Sequence, residues 1–322
     1  MIHRVRIAST GFYAPPRVET ADDLAPRLGV TGDWIRTHTG VANRHISEEP
    51  LEQLGAKALR AALGDGPPPD LLLSASTSVR QAIPDTSTFI LRELGLSGIP
   101  GFSVHATCLS FLAATDVAAS LITAGRYRRV AVVSAEMPAS SRRFTEPESA
   151  SLLGDGAAAA IFERSAEGEP SCILACRMAT HPEGAELARI EAAGVRKHPA
   201  DPNTRLEDGL FTMDGPRLFK LTAKLGAPVF QGALADAGLA IGDIDLFVPH
   251  QASGPGLRVL RIFGIPDERV VSIIAEYGNC IAASIPMALA IAHADGRLQR
   301  GMRVALLGTG AGLSVGATIL VF

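Results

Sequence analysis

Residues 106–135 read ATCLSFLAATDVAASLITAGRYRRVAVVSA, and residues 278–308 read GNCIAASIPMALAIAHADGRLQRGMRVALLG. Both run through a turn, a cysteine, a small apolar helix, a glycine, an arginine-bearing loop and an apolar strand. Two further pairs follow the same order. KALRAALGDGPPPDLLLSAST (57–77) resembles GALADAGLAIGDIDLFVPHQAS (232–253), and GDGAAAAIF (154–162) resembles GAGLSVGATILVF (310–322). One Ala-rich pair is within the reach of chance. Three pairs in one order argue for two related halves.

Around these repeats, short apolar runs read as buried strands: 5–10, 71–76, 130–136, 157–162, 245–250, 303–310 and 317–322. Longer Ala/Leu stretches at 51–63, 111–125, 216–238 and 282–295 read as helices. Continuous apolar strands alternating with helices predict an α/β protein whose sheets are covered on both faces. Residues 163–212 are polar with little periodicity and read as a connector or lid. The chain of 322 residues is 47% hydrophobic and 20% charged, which excludes a disordered chain. A net charge of −3 and 5% aromatic residues argue against a nucleic-acid partner. Four cysteines are too few for a disulfide scaffold, and no run reaches the ~20 apolar residues of a membrane span. The opening residues lack the apolar run of a secretory signal, so a cytoplasmic setting is expected.

Cys108 stands directly before an Ala-rich helix, where the positive end of the helix dipole favours a thiolate nucleophile. His250 ends a strand-like run, the place where ligands gather in α/β sheets. In the repeat Cys280 aligns with Cys108, which sets Asn279 opposite Thr107. If the halves pack about a pseudo-dyad, the two helix starts approach one point and bring Cys108, His250 and Asn279 together. GTGAGLSVG (308–316) is a glycine-rich turn whose backbone can offer N–H groups to a ligand. Cys172 and Cys176 lack metal spacing and read as strand packing. RYRR (126–129) reads as a solvated loop. Arg142 and Arg143 could contact an acidic substrate, although a solvated pair is the commoner fate of such residues.

With TGDWIRTHTGVANRHI (31–46), HATCLSF (105–111), LLGDGAAAAIF (152–162), VPHQAS (248–253) and YGNCIAASIPMAL (277–289), the chain resembles the 3-oxoacyl-ACP synthase III family of the thiolase superfamily, over essentially its whole length. The resemblance implies a five-layered αβαβα fold of two halves, 1–165 and 166–322, and a homodimer. It implies a decarboxylating Claisen condensation of an acyl primer, on CoA or acyl carrier protein (ACP), with malonyl-ACP, without a cofactor. Cys108 would accept the acyl group, and His250 and Asn279 would hold the malonyl thioester carbonyl. The N–H groups of Cys108 and Ala311 would form the oxyanion hole. Trp34 matches the tryptophan that stacks on the CoA adenine, and Lys220 matches a lysine of the carrier-protein region. His38 replaces the arginine companion of that tryptophan, Ser253 replaces the asparagine of PHQAN, and Pro147 and Pro255 fall where CoA-binding arginines align. Cys280 and Ile281 replace two hydroxyl residues of the usual GNTSAAS. The chemistry carries over better than CoA recognition does. Alternatives on the same scaffold are an acyltransferase to a hydroxyl or amine, against which Asn279 argues, a thiolase, which lacks its second cysteine here, and an inactive chain-length partner.

Overall fold

The structure is a computed structural model that describes residues 2–192 and 194–322. Strands β1 (Val5–Tyr13), β2 (Leu71–Ser74), β3 (Gly101–Ser103), β4 (Arg129–Glu136) and β5 (Gly156–Arg164) form one sheet in the order β1-β5-β4-β2-β3. Strands β6 (Cys172–Thr180), β7 (Leu246–Pro249), β8 (Arg303–Gly310) and β9 (Ser314–Val321) form another in the order β7-β8-β9-β6. From β1 inward the pairings run antiparallel, antiparallel, parallel, parallel. From β6 inward they run antiparallel, antiparallel, parallel. The place of β3 is held in the second sheet by a single parallel bridge, Phe247 to Val270. The two sheets thus repeat one topology.

Helices α1 (Leu51–Leu63), α2 (Ser110–Thr123), α3 (Gly215–Ala237) and α4 (Ser284–Ala294) supply the other layers. α4 buries Ser284 through Ala290 without a break, and a helix apolar all round has no stable place except an interior. Successive strand side chains point to opposite faces. In β5, Ala158, Ala160 and Phe162 join the core that holds α2 and α4, while Ala157, Ala159 and Ile161 join the core under α1. On the far side, Phe230, Ala233 and Leu234 of α3 pack on Phe247, Ala305 and Ile319 of the second sheet. The layers are α1, sheet, α2 with α4, sheet, α3: the expected αβαβα arrangement.

Alanine-rich strands let these layers close tightly. A Cβ at Gly11 of β1 would lie 2.3 Å from the backbone nitrogen of Ala62 in α1, and Ser9 Oγ donates to Ala62 O at 2.6 Å. The polar stretch 163–212 departs from its reading as a connector. Its Cys172–Thr180 segment is β6, an edge strand paired with β9 from Val321 to Ser314. Arg177 and Met178 are exposed there, so the strand lacks the all-apolar signature of the others. Cys172 and Cys176 do serve strand packing. Arg129 of RYRR is not solvated: it opens β4 and pairs with Glu163. Gly11→Ala is expected to destabilise the protein by about 1–3 kcal/mol through overpacking, read as a lower midpoint in thermal unfolding.

Candidate active site

Cys108 sits in a 3₁₀ turn, Thr107–Leu109, that runs into α2. Thr107 adopts φ +51°, a strained value for a non-glycine residue. Ser110 Oγ holds it there by donating to Thr107 O at 2.7 Å and accepting from Ala106 N at 3.0 Å. Thr107 Oγ1 donates to Ala311 O at 3.2 Å, which ties the turn to the glycine-rich loop between β8 and β9. Gly310 is required in that loop, because a Cβ there would lie 2.6 Å from Thr107 Oγ1. The second half repeats the device: Ile281 has φ +47° in the turn Ile281–Ala283 that leads into α4. The structural twin of Cys108 is therefore Ala282, and the sequence register that matched Cys280 to Cys108 is two residues out. Cys280 is buried, with its Sγ donating to Tyr277 O at 3.4 Å, and burial pushes its thiol far up.

His250 follows β7 at the sheet's C-terminal end. Its backbone N–H donates to Leu307 O at 2.7 Å. Gln251, fully buried, donates to Pro249 O and Val271 O and accepts from Ile273 N, so the loop after the histidine is clamped on three sides. Asn279 Nδ2 donates to Ala252 O at 3.3 Å, and its Oδ1 accepts from Ile281 N at 2.9 Å. The backbone of Asn279 is strapped to the Leu152–Gly154 loop by N–H to Leu152 O at 2.7 Å and by its own carbonyl to Gly154 N at 3.2 Å. GDG (154–156) is thus a strut for Asn279 as well as a turn.

Cys108, His250 and Asn279 line one cavity of about 1700 Å³, above the ~300–1,000 Å³ typical of small-molecule sites. The backbone N–H groups of Ala311 and Cys108 favour the Cys108 thiolate. Burial outweighs them and pushes the free thiol up to about 11. The helix start alone therefore does not leave a thiolate in the free protein. Burial holds His250 down to about 4, so its ring is neutral at physiological pH.

His38 and Ser253 line the cavity as well; Trp34 and Lys220 do not. His38 stacks on Trp34, ring centroids 4.3 Å apart, with Nδ1 bonded to Trp34 O at 2.8 Å. Ser253 caps the short helix Gly254–Arg258 by accepting from Gly256 N. Lys220 is exposed on α3, whose Phe219 and Thr222 face the cavity. Arg142 and Arg143 stay outside it. Arg142 is buried against Glu19, and Arg143 donates to Glu207 O, so neither meets a substrate nor forms a solvated pair. The sequence reading missed Glu136, at the end of β4. Its buried carboxylate lines the cavity, accepts from Thr77 N at 2.6 Å and Ser78 N at 2.8 Å, and is pushed up to about 7 by burial. An acid closing the apolar run VAVVSAE was the available signal.

A family model for "3-Oxoacyl-[acyl-carrier-protein (ACP)] synthase III" matches residues 102–182, and its C-terminal companion matches residues 234–322. The chain is 34% identical over 324 residues to "Beta-ketoacyl-[acyl-carrier-protein] synthase III 3" of Streptomyces coelicolor, covering 98% of this chain and 96% of that one. Its structure is similar to 3-oxoacyl-[acyl-carrier-protein] synthase III of Aquifex aeolicus, with a TM-score of 0.91 and 31% identity over 99% of this chain and all of that one. It is also similar to OleA of Xanthomonas campestris, with a TM-score of 0.87 and 27% identity over all of this chain and 98% of that one.

Because desolvation raises the half-buried thiol to about 11, alkylation of Cys108 by iodoacetamide in the free protein is expected to rise about tenfold per pH unit from pH 7 and to climb still at pH 10. A plateau already reached below pH 8 would show that the two amides and the helix outweigh burial.

Proposed function

We propose, starting from the fact that this chain belongs to the 3-oxoacyl-[acyl-carrier-protein] synthase III family, that Cys108, His250 and Asn279 carry a decarboxylating condensation of an acyl primer with malonyl-ACP, within fatty acid or related acyl-chain biosynthesis. The observation that carries the reading is their meeting in one cavity, which Ala311 lines as well. Cys108 sulfur attacks the primer thioester carbonyl. Negative charge gathers on that oxygen, where the amides of Cys108 and Ala311 receive it, and the carrier leaves as a free thiol.

The malonyl thioester then takes the carrier's place. His250 Nδ1 is buried without a partner, so the neutral ring keeps its proton on Nε2 as a donor. Asn279 keeps one amide hydrogen beyond the one given to Ala252 O. Together they hold the thioester oxygen. As CO2 leaves, the electron pair of the broken carbon–carbon bond becomes an enolate on that oxygen. The enolate carbon attacks the acyl-Cys108 carbonyl, the new carbon–carbon bond forms, the carbon–sulfur bond breaks, and the departing Cys108 thiolate takes a proton from water to return as the thiol.

The carrier side suits an acidic protein. Arg217, Lys220 and Lys224 are exposed at i, i+3 and i+7 of α3, hence on one face beside Phe219 at the cavity. CoA is served less well, since His38 occupies a face of Trp34. A homodimer through β3 accords with its open edge and exposed Phe102. Among the described residues no helix is long and apolar enough to cross a membrane, and we place the protein in the cytoplasm.

With malonyl-ACP and a panel of acyl-CoA and acyl-ACP primers, Cys108→Ala is expected to lose both the acyl-enzyme and the 3-oxoacyl product by mass spectrometry. Asn279→Ala keeps the acyl-enzyme and loses about 10²–10³ in condensation rate. Acyl transfer to an amine or hydroxyl with no new carbon–carbon bond in the wild type would replace this reading with the acyltransferase.

A further inference from the structure

Three side chains that line the catalytic cavity hold a buried polar atom with no hydrogen-bond partner: His250 Nδ1, Glu52 Oε2 and Thr77 Oγ1. The first belongs to the reacting end. The other two belong to a different part of the wall, built from Pro50–Glu52, Thr77–Gln81, Met137 and Pro138. Glu52 is 2% exposed at the start of α1. Its Oε1 pairs with Arg80, whose guanidinium lies 4.4 Å above the Phe89 ring, and its Oε2 pairs with nothing. Thr77 gives its backbone N–H to Glu136, which fixes the residue, and its hydroxyl has no partner. The other buried carboxylate of the wall is answered: Glu136 has the amides of Thr77 and Ser78. A half-matched carboxylate and an unmatched hydroxyl in the lining of one cavity are costly in a resting protein and useful to a ligand that completes them.

We propose that Glu52 and Thr77 form a polar subsite of the cavity that selects primers carrying a hydrogen-bond donor, a hydroxyl or an amine, on the acyl chain. This rests on the condensing reading above. A hydroxyl donates to Glu52 Oε2 and accepts from Thr77 Oγ1, and an amine donates to both. A plain alkyl chain satisfies neither and leaves both buried groups unpaired. A site built to bond a polar group rejects the analogue that lacks it far better than an apolar pocket rejects an extra hydroxyl. An anionic primer is disfavoured, because both arginines of the wall are already paired: Arg80 with Glu52, and Arg189 with Glu191 and Glu186. Arg80 is a third exposed and can shift as the primer's donor reaches Glu52.

The test compares the full-length protein on chain-matched acyl thioesters: plain, hydroxylated, amino-bearing and dicarboxylic, read by the rate of acyl-Cys108 formation and by condensation product. The hydroxylated or amino-bearing primer is expected to acylate at least about tenfold faster than its plain counterpart. Glu52→Gln is expected to bring that ratio close to one, and Thr77→Val to lower the ratio for the hydroxylated primer. The wild-type ratio does not depend on a variant folding, and Thr77→Val removes only a hydroxyl should Glu52→Gln fail to melt cooperatively. Equal or faster acylation by plain chains, preference for the dicarboxylic primer, or a ratio preserved in both variants overturns the subsite while leaving the condensing enzyme intact. Absence of acyl-Cys108 with every primer overturns both.

Discussion

The structure depends on the burial of α4, a helix apolar on every side, and of the apolar face of α2. α2 turns only Asp116, Ser120 and Thr123 outward, while α4 has no face fit for water and needs apolar partners all round. Two sheets, one from each half of the chain, provide them. Once both helices lie in that slot, their first turns come together at one end. Cys108, the histidine after β7 and the asparagine before α4 then line one cavity although about 170 residues separate the first from the last. The site is a by-product of closing the core, held by loops whose close approach excludes side chains: Gly154 and Gly278 each lie where a Cβ would meet a backbone carbonyl, at 2.4 and 2.5 Å.

The same burial sets the electrostatics. Desolvation raises the Cys108 thiol, raises the Glu136 carboxyl and depresses the His250 imidazole, each toward its neutral form. Neutral forms of Cys108 and His250 suit the proposed reaction, whose charge appears on oxygen for a moment. The sign for stability follows from His250, whose folded value lies below its unfolded one. Its contribution is complete above about pH 6.5 and is lost as pH falls toward about 4.

Much of this was legible in the residues themselves. The all-apolar strands and the helices 51–63, 111–125, 216–238 and 282–295 correspond to observed elements, because burial on both faces leaves no polar residue to blur the pattern. β6 was lost because it is an edge, where Arg177 and Met178 meet solvent. The repeat register slipped by two because two cysteines were matched by type, whereas the backbone matches Thr107 with Ile281 by their shared left-handed conformation. Backbone conformation leaves no mark on residue type when neither residue is glycine. The polar wall of Glu52, Thr77, Arg80 and Glu136 was invisible for another reason. Its members come from three separate segments, and only packing shows that they face one space.

The bridge between Phe247 and Val270 has one more effect. A sheet edge is a template onto which further chains can add without limit. Here the edge beside β7 is occupied by that bridge, and His3 exchanges two backbone hydrogen bonds with Ile173, joining the margins near β1 and β6 to each other. Among the described residues, that leaves β3 as the margin of the two large sheets without a neighbour. Growth from a single open margin is self-terminating: a second copy meeting it across a two-fold axis uses up both templates, and no fibre can propagate. In the proposed homodimer, the vestigial fifth strand is thus the feature that would keep association finite.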